Sequence, residues 1–410
     1  MATGNLSDYF SGVAAKRLSA VEADLARSHQ HELNGVSKLR EILGTPVGKQ
    51  VYPTRFIYLT DDDDEPLIDD ATMTWYDSRA NHVSRTEWRL YFPDTTVSQV
   101  LAEGDTVVIA RRPDDTLLVV VAEAESTIAA QVLWLFGLET THPGYSVRSE
   151  LETSQDRLGF ASSVILENIG VVIEEVEESA LDRMLTRFDG RFPSTDDFSA
   201  FTRSMVGEVD AVNDPDGTLI AWLEKELILF RTLEKHLLAG RLQAGFGADG
   251  GDVEAFLSFS LTVQNRRKSR AGLSFENHVH ALLTMNSIRF QQNVVTENQS
   301  KPDFLFPSGA AYHDQTFDEL WLTMLGVKST CKDRWRQVLT EANRVARKHL
   351  LTLEPRISSR QTDEMRSHDL QLVLPASLHP TYTTDQQEWL LDVRELIDLV
   401  RRRELMSQAS

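Results

Sequence analysis

The apolar residues of the first 145 positions recur in short runs that are rich in β-branched and aromatic side chains, and turn-forming residues separate these runs. Several short strands at this spacing are typical of a barrel or a sandwich rather than of alternating strands and helices. One helix is expected near 34–44, where Val36, Leu39 and Leu43 recur at helical spacing. The predicted strands lie at 55–60, 71–78, 87–92, 105–112 and 116–124.

Helical spacing replaces this pattern after residue 145. Residues 146–212 are acidic and helical in pattern, which predicts a helical connector, and NDPDG at 213–217 is a strong boundary signal. The remainder, 213–410, alternates between helical and strand-like segments, which predicts an α/β domain. Its predicted helices lie at 218–238, 273–285 and 333–349, and its predicted strands at 287–295, 303–306, 323–330 and 370–375.

Composition excludes several classes of protein. Hydrophobic residues make up 41% of the chain and charged residues 25%, which excludes a mostly disordered protein. The net charge of −20 excludes a uniformly basic nucleic-acid coat but not a local basic patch. Cys331 is the only cysteine, so neither an intrachain disulfide nor a Cys-rich zinc site is possible. Without a signal-peptide pattern or an apolar stretch that could span a bilayer, we expect a cytoplasmic protein with no membrane partner.

Three segments of the C-terminal half contain residues suited to phosphodiester hydrolysis. Glu276 lies in a helical pattern, Asp303 stands at the head of a short apolar strand, and Lys328 lies on the next predicted strand. An Asp and a Lys on successive strands can converge across a hairpin. Phosphodiester hydrolysis uses carboxylates to hold Mg²⁺ and a lysine to orient or deprotonate the attacking water. Such pairs also occur by chance, so an ordinary α/β core with surface charges is the alternative.

A second carboxylate often stands two residues before such a lysine, but Gly326 occupies that position here. Another acidic residue must therefore complete the set. Glu341 is the candidate, because one face of the helix predicted after Lys328 could return it to the metal.

Four segments together resemble the catalytic domain of EcoRII-type restriction endonucleases, which have the PD-(D/E)xK nuclease fold. They are NRRKSRAG (265–272), KPDFLFP (301–307), AYHD (311–314) and VKSTCKDRWRQ (327–337). The resemblance covers about 260–380 and implies a Mg²⁺-dependent nuclease. It implies that Asp303, Lys328 and Glu341 are catalytic, with Glu276 as an accessory carboxylate, and that the three acidic residues bind the metal.

The resemblance also assigns DNA contacts. It implies that Asp333 and Arg334, with Lys332 beside them, read G·C pairs; Arg binds guanine O6 and N7, and Asp accepts from cytosine N4. The alternative is a helix-capping Asp followed by a solvated Arg. Arg270 is a further candidate for base contact. The residues expected along the DNA backbone are Arg266, Arg267, Lys268, Tyr312 and His313, although His313 equally fits a structural hydrogen bond in a loop.

The first half carries a second resemblance. KRLSA (16–20), WYDSR (75–79) and RTEWR (85–89) resemble the N-terminal domain of the same enzymes, a B3-like pseudobarrel that binds a second DNA site as an effector. The resemblance implies that Arg79, Arg85, Glu87 and Arg89 contact this effector DNA. The alternative is an exposed strand with alternating charges.

These observations predict a prokaryotic Type II restriction endonuclease with an effector domain at 1–145, a connector at 146–212 and a nuclease domain at 213–410. Its partners would be double-stranded DNA, a second copy of the chain and, functionally, a DNA methyltransferase. It would cut both strands at a CCGG-, CCNGG- or CCWGG-like site and leave 5′-phosphates. One alternative is a modification-dependent endonuclease whose first domain reads a modified base. Another is a DNA-binding regulator with a dead nuclease domain, which the intact Asp303, Lys328 and Glu341 argue against.

Overall fold

The computed structural model describes residues 5–23, 31–33, 36–62, 66–82, 84–140, 144–153, 159–171, 178–247, 250–331 and 334–409. The chain divides into two compact units. One comprises Ala2–Val172 and Pro355–Thr362, and the other comprises Ile173–Glu354 and Asp363–Ser410. The three-part division predicted from the sequence stays a prediction. No helix in the described ranges is long and apolar enough to cross a membrane.

The first unit is built on one sheet. Its strands are β1 (Gly12–Arg17), β2 (Glu32–Leu33), β3 (Gln50–Leu59), β4 (Leu67–Asp77), β5 (Trp88–Tyr91), β6 (Thr106–Arg111), β7 (Leu117–Ala122) and β8 (Ser146–Arg148). They are ordered β2-β5-β4-β3-β7-β6-β1-β8, and only β3 and β7 pair in parallel among these neighbours. β7 is buried along its whole length, as its unbroken apolar sequence requires.

The five strands predicted in this unit are confirmed as β3 to β7. The helix predicted near 34–44 is a 3₁₀ turn, Val36–Leu39, followed by α2 (Arg40–Leu43), and it ends at Gly44 with a φ of +72°. The B3-like layout of this mixed sheet stays a prediction. The other helices described in the unit are a 3₁₀ turn at Leu6–Asp8, α1 (Ala20–Ala23), α3 (Thr127–Phe136) and α4 (Phe160–Asn168).

The second unit begins with four helices, α5 (Glu178–Phe188), α6 (Thr195–Met205), α7 (Pro215–Ala244) and α8 (Val253–Met285). Asp214 caps α7 by accepting a hydrogen bond from the Gly217 N–H, and Pro215 occupies the first turn. Apolar side chains of α5, α6 and α7 share one core; they are Ala180, Met184, Phe198, Leu229, Phe230 and Leu233. The boundary predicted at 212/213 therefore falls between helices that pack together.

The second sheet has the order β12-β11-β10-β9, with β9 antiparallel to β10 and the other pairs parallel. Its strands are β9 (Phe304–Phe306), β10 (Thr323–Lys328), β11 (Lys348–Thr352) and β12 (Leu370–Val373). The remaining helices are α9 (Gly309–His313), α10 (Trp335–Leu339), α11 (Ser359–Ser367), α12 (Thr384–Gln387) and α13 (Val393–Ala409), with 3₁₀ turns at Glu297–Gln299, Glu319–Trp321 and Ala376–Thr381.

Two predicted elements of this half differ in the structure. The helix predicted over 333–349 extends only over α10, because the chain turns at Ala342, which has a φ of +47°. Glu341 therefore lies beyond the helix end rather than on a helical face. The strand predicted at 287–295 is wrong as well, because only Gln291 forms a bridge there, to Leu305.

Candidate active site

Asp303 and Lys328 meet beside the β9–β10 pair. The register places Phe304 opposite Leu325, so Asp303, just before β9, lies beside the end of β10. The Oδ2 atom of Asp303 accepts hydrogen bonds from the Lys328 ammonium at 2.8 Å and from the Val327 N–H at 2.7 Å. The Asp303 side chain is 16% exposed and the Lys328 side chain is 22% exposed, so solvent can reach this pair.

Two further carboxyl groups lie within the electrostatic field of this pair. Glu276 belongs to α8, which packs against β10. Burial raises the pKa of Glu276, the charge of Asp303 raises it further, and Lys328 opposes the rise. Burial and then Asp303 also raise the pKa of Glu341, to about 7, against the opposing charges of Lys328 and Lys348. The structure thus brings the four predicted catalytic residues into one neighbourhood.

The donor set can be tested for a metal. Among the described residues, no group of three or more His, Cys, Asp or Glu side chains is arranged to hold a metal ion. Carboxylate oxygens are nevertheless the ligands that Mg²⁺ prefers, and it is commonly held by one or two of them together with substrate phosphate. Asp303 raises the proton affinity of Glu276 and of Glu341, so a bound cation would relieve repulsion among these three groups. The chemistry of these three carboxyl groups fits a hard divalent cation.

The predicted G·C-reading residues are described only in part. Lys332 and Asp333 lie outside the described residues. Arg334 is exposed and occupies the N-cap position of α10, directly after them. Because α10 follows β10, an exposed side chain at its start lies close in sequence to Lys328.

The predicted basic patch divides between two environments on α8. Lys268 is exposed, and Arg267 is half exposed while it pairs with the buried Glu234 at 2.6 Å. Arg266 stacks over the Phe192 ring, 4.0 Å from its centre. Arg267 and Lys268 are thus the members of this patch that reach solvent most.

Arg270 differs from these residues because it is only 8% exposed. Its guanidinium lies over the rings of Phe198 and Phe230 and donates to the Pro193 carbonyl at 3.0 Å. It also lies 3.9 Å from the buried Glu226. A base contact by Arg270 would require these interactions to break.

Tyr312 and His313 end α9 but differ in accessibility. Tyr312 is only 2% exposed and donates its hydroxyl hydrogen to Glu297, whereas His313 is exposed. Glu297 was not identified from the sequence. Glu297 and Tyr312 are 15 residues apart in the sequence, so no local pattern predicts their hydrogen bond, and only the fold brings them together.

The four residues predicted to contact effector DNA lie in or shortly before β5; they are Arg79, Arg85, Glu87 and Arg89. Glu87 pairs with Arg79 at 2.5 Å and with Arg89 at 3.0 Å, and Arg89 also pairs with Glu32 at 2.8 Å. The hydrogen bond from Arg89, with that from Arg79, lowers the pKa of Glu87. Arg85 is exposed. Glu32 was not predicted, although its carboxylate belongs to the same cluster.

Comparisons with known proteins match the segment that contains this site. Residues 230–397 match the family model described as EcoRII C terminal. The chain is 42% identical over 193 residues to a protein of Escherichia coli described as the Type II restriction enzyme EcoRII. That match covers 47% of this chain and 46% of the relative, so the chain spans about half the length of the curated relative.

Two solved structures are also similar to this chain. A structure described as metal-depleted Ecl18kI in complex with uncleaved DNA has a TM-score of 0.46 and 15% identity, and the match covers 56% of this chain and 86% of that chain. A structure described as a complex of the restriction endonuclease PspGI with substrate DNA has a TM-score of 0.42 and 16% identity, and the match covers 52% of this chain and 93% of that chain.

Proposed function

We propose that this chain, whose residues 230–397 match the EcoRII C-terminal family model, is a Type II restriction endonuclease that hydrolyses both strands of DNA and leaves 5′-phosphates. The observation that carries the proposal is the contact between Asp303 and Lys328, 2.8 Å long, with Glu276 and Glu341 in the field of the same pair. All four residues lie within the segment that matches the family.

Each side chain has a distinct role in the proposed reaction. Two hydrogen bonds fix Oδ2 of Asp303, whereas Oδ1 has none from the described residues and is available to a cation or to water. The Lys328 ammonium orients the attacking water and carries positive charge next to the phosphate. Burial and the charge of Asp303 raise the pKa of Glu341 to about 7, so a bound cation would favour the ionised form of this carboxyl group.

Asp303, Glu341 and Glu276 would hold Mg²⁺ in this proposal. When bound, the ion neutralises charge on the scissile phosphate and activates water. Carboxyl groups must be ionised to bind a metal, so the raised pKa of Glu341 makes binding dependent on pH near neutrality.

We propose that Arg334, with Lys332 and Asp333, reads G·C pairs of a CCGG-, CCNGG- or CCWGG-like site. Arg267 and Lys268 are the proposed phosphate contacts on α8, because they are the exposed or half-exposed cations of that segment. A homodimer would supply one active site per strand of a two-fold site. The proposed setting is the bacterial cytoplasm, where a cognate methyltransferase would protect host DNA.

The proposed role of the N-terminal unit is to bind effector DNA through a B3-like surface that includes Arg79, Arg85 and Arg89. The support is an accessible cluster in which cations flank Glu87. Phosphate would compete with Glu87 for the two arginines, since both anions accept charge-assisted hydrogen bonds.

Digestion of plasmids that carry one or two candidate sites tests the proposal. We expect Mg²⁺-dependent double-strand breaks with 5′-phosphate ends at one short sequence, and faster cutting when a second site is present. Cutting only of methylated plasmid would instead establish a modification-dependent endonuclease. Binding without cleavage in Mg²⁺ would contradict nuclease activity altogether.

A further inference from the structure

Glu341 lies on a short irregular segment. Helix α10 ends at Leu339, the backbone turns at Ala342, and β11 begins at Lys348. The Val345 N–H closes the turn by donating to the Ala342 carbonyl at 2.9 Å. The Glu341 N–H still donates to the Val338 carbonyl of α10 at 3.2 Å. Residues 342–344 lie outside the helix and the strand, so other groups must bind their N–H donors.

Three consecutive backbone N–H groups after Glu341 are bound by side chains from distant parts of the chain. The Ala342 N–H donates to Thr296 Oγ1 at 3.4 Å, and the Asn343 N–H donates to Glu297 Oε2 at 3.2 Å. The Arg344 N–H donates to the Tyr312 hydroxyl at 3.4 Å. Each of these hydrogen bonds is long, but together they bind the three residues that directly follow Glu341 in the chain.

Glu297 and Tyr312 are themselves tightly joined. The Tyr312 hydroxyl lies 2.6 and 2.8 Å from the two oxygens of Glu297. Burial, with the hydrogen bond to Glu297, raises the pKa of Tyr312 to about 12. Burial acts to raise the pKa of Glu297, but hydrogen bonds, chiefly from Tyr312, lower it overall. Tyr312 is thus the donor and Glu297 the ionised acceptor throughout the neutral range.

Arg344 completes the connection between α9 and this segment. Its guanidinium donates to the carbonyls of Tyr312, Asp314 and Phe317, the last at 2.7 Å. It also lies 5.7 Å from the centre of the Tyr312 ring. The Tyr312 side chain is therefore enclosed by contacts to the segment that follows Glu341.

We propose that Glu297 and Tyr312 are positioning residues that hold the segment carrying Glu341 so that its carboxyl faces Asp303 and Lys328. The proposal rests on the proposed function, in which Glu341 takes part in cleavage. It replaces the DNA-backbone role predicted for Tyr312, because the phenolic hydrogen is already donated within the protein. Side chains that orient metal ligands typically change metal affinity or activity by about 10- to 100-fold when they are altered.

Tyr312→Phe tests the proposal in the full-length protein. We expect kcat to fall about 10- to 100-fold and the Mg²⁺ concentration for half-maximal rate to rise, with DNA affinity unchanged. Amide hydrogen exchange at Ala342, Asn343 and Arg344 should become faster in the metal-free protein. Tyr382→Phe is the matched control, because Tyr382 donates a buried hydrogen bond to the Glu354 carbonyl at 2.6 Å, elsewhere in the same unit. It should lose stability without losing kcat.

A second pair of variants keeps the test decisive if Tyr312→Phe does not fold. Glu297→Gln retains an acceptor for the Asn343 N–H and should keep more activity than Glu297→Ala. Unchanged kcat and amide exchange in all folded variants would overturn the positioning role. That result differs from failure of the proposed function, in which the unaltered protein itself would not cut DNA in Mg²⁺.

Discussion

Val338 occupies the space that any side chain on Gly326 would need. A Cβ atom on Gly326 would lie 2.9 Å from Cγ2 and 3.3 Å from Cγ1 of Val338, which is fully buried on α10. An acidic side chain at 326, two residues before Lys328, would therefore force α10 away from β10. The same helix leads to Glu341, so the packing that excludes one carboxylate brings another toward the site.

Gly326→Asp should lower the free energy of unfolding by about 1–3 kcal/mol, because it inserts atoms into a filled space. Gly326→Ala is the control that adds only the Cβ atom and should cost less. Urea denaturation measures both. Introducing Gly326→Asp into a Glu341→Ala background should not restore cleavage, and restored cleavage would show that α10 yields to the new carboxylate.

Asp303→Asn and Lys328→Met should each reduce cleavage about 100-fold or more while leaving DNA binding intact, because each removes charge from the reacting centre. Glu341→Ala should behave in the same way. Single-turnover cleavage and a binding assay in Ca²⁺ separate the two effects. Asp318→Asn, which alters a capping carboxylate elsewhere in the unit, is the matched control. If the Glu341 variant cut normally, Glu276 would be the remaining partner of Asp303.

The raised pKa of Glu341 makes stability depend on pH. The stabilising effect of its proton is complete below the ordinary pKa of 4.5 and is lost as the pH rises through about 7. The glutamine in Glu341→Gln has no proton to lose. Between pH 5 and pH 8, the free energy of unfolding of the variant should therefore rise by about 1 kcal/mol relative to that of the natural protein, after allowance for partial exposure. Thermal unfolding in metal-free buffer measures this difference. Equal differences at both pH values would contradict the raised pKa.

Arg334→Ala should weaken binding to the cognate site by about 1–3 kcal/mol and leave non-specific binding nearly unchanged, if its guanidinium contacts guanine. Lys268→Ala should instead weaken binding to all sequences and reduce the salt dependence by about one counterion. Titrations of cognate and scrambled duplexes at several salt concentrations distinguish these patterns. Equal loss on both duplexes for Arg334→Ala would make it a phosphate contact.

A fragment that begins at Glu178 should fold better than one that begins at Asp210. The shorter fragment lacks α5 and α6, which exposes Leu229, Phe230 and Leu233 of α7. The loss of several buried apolar contacts should cost at least about 3 kcal/mol. Unfolding of both fragments in urea measures the difference. Equal stability would show that the first two helices are dispensable to this core.

Local patterns predicted β3 to β7, β9, β10 and β12 but not β1, β2, β8 or β11, and the prediction of β9 and β10 led to the meeting of Asp303 and Lys328. Asp303 directly precedes β9 and Lys328 ends β10, and these two short apolar strands pair antiparallel, so the proximity of the residues follows from the pairing. The position of Glu341 did not follow in this way. Residues 335–347 favour a helix by composition, but the turn at Ala342 is held by Thr296 and Glu297, which lie far away in the sequence.

The buried state of Arg270 was missed although the sequence contained a signal for it. Arg270, Ser274, His278 and Leu282 recur every four residues along α8, and all are buried. The charge run from Arg266 to Arg270 concealed this face, because a cluster of cations ordinarily indicates solvent. Glu226 on α7 lies 2.9 Å from His278 and 3.9 Å from Arg270, both on α8. This acidic partner makes the burial of Arg270 and His278 possible.

The pairing of Phe304 with Leu325 has a consequence for the evolution of such a chain. Side chains alternate in direction along a strand, so gain or loss of a single codon within β10 would turn Lys328 to the opposite face, and one within β9 would do the same to Asp303. In the connection between the two strands, the carbonyls of Asp314 and Phe317 bind Arg344, whereas residues 318–321 form a loop beyond these contacts. Insertions and deletions among descendants that still cut DNA are therefore expected in that loop, while the codon count of the two strands stays constant.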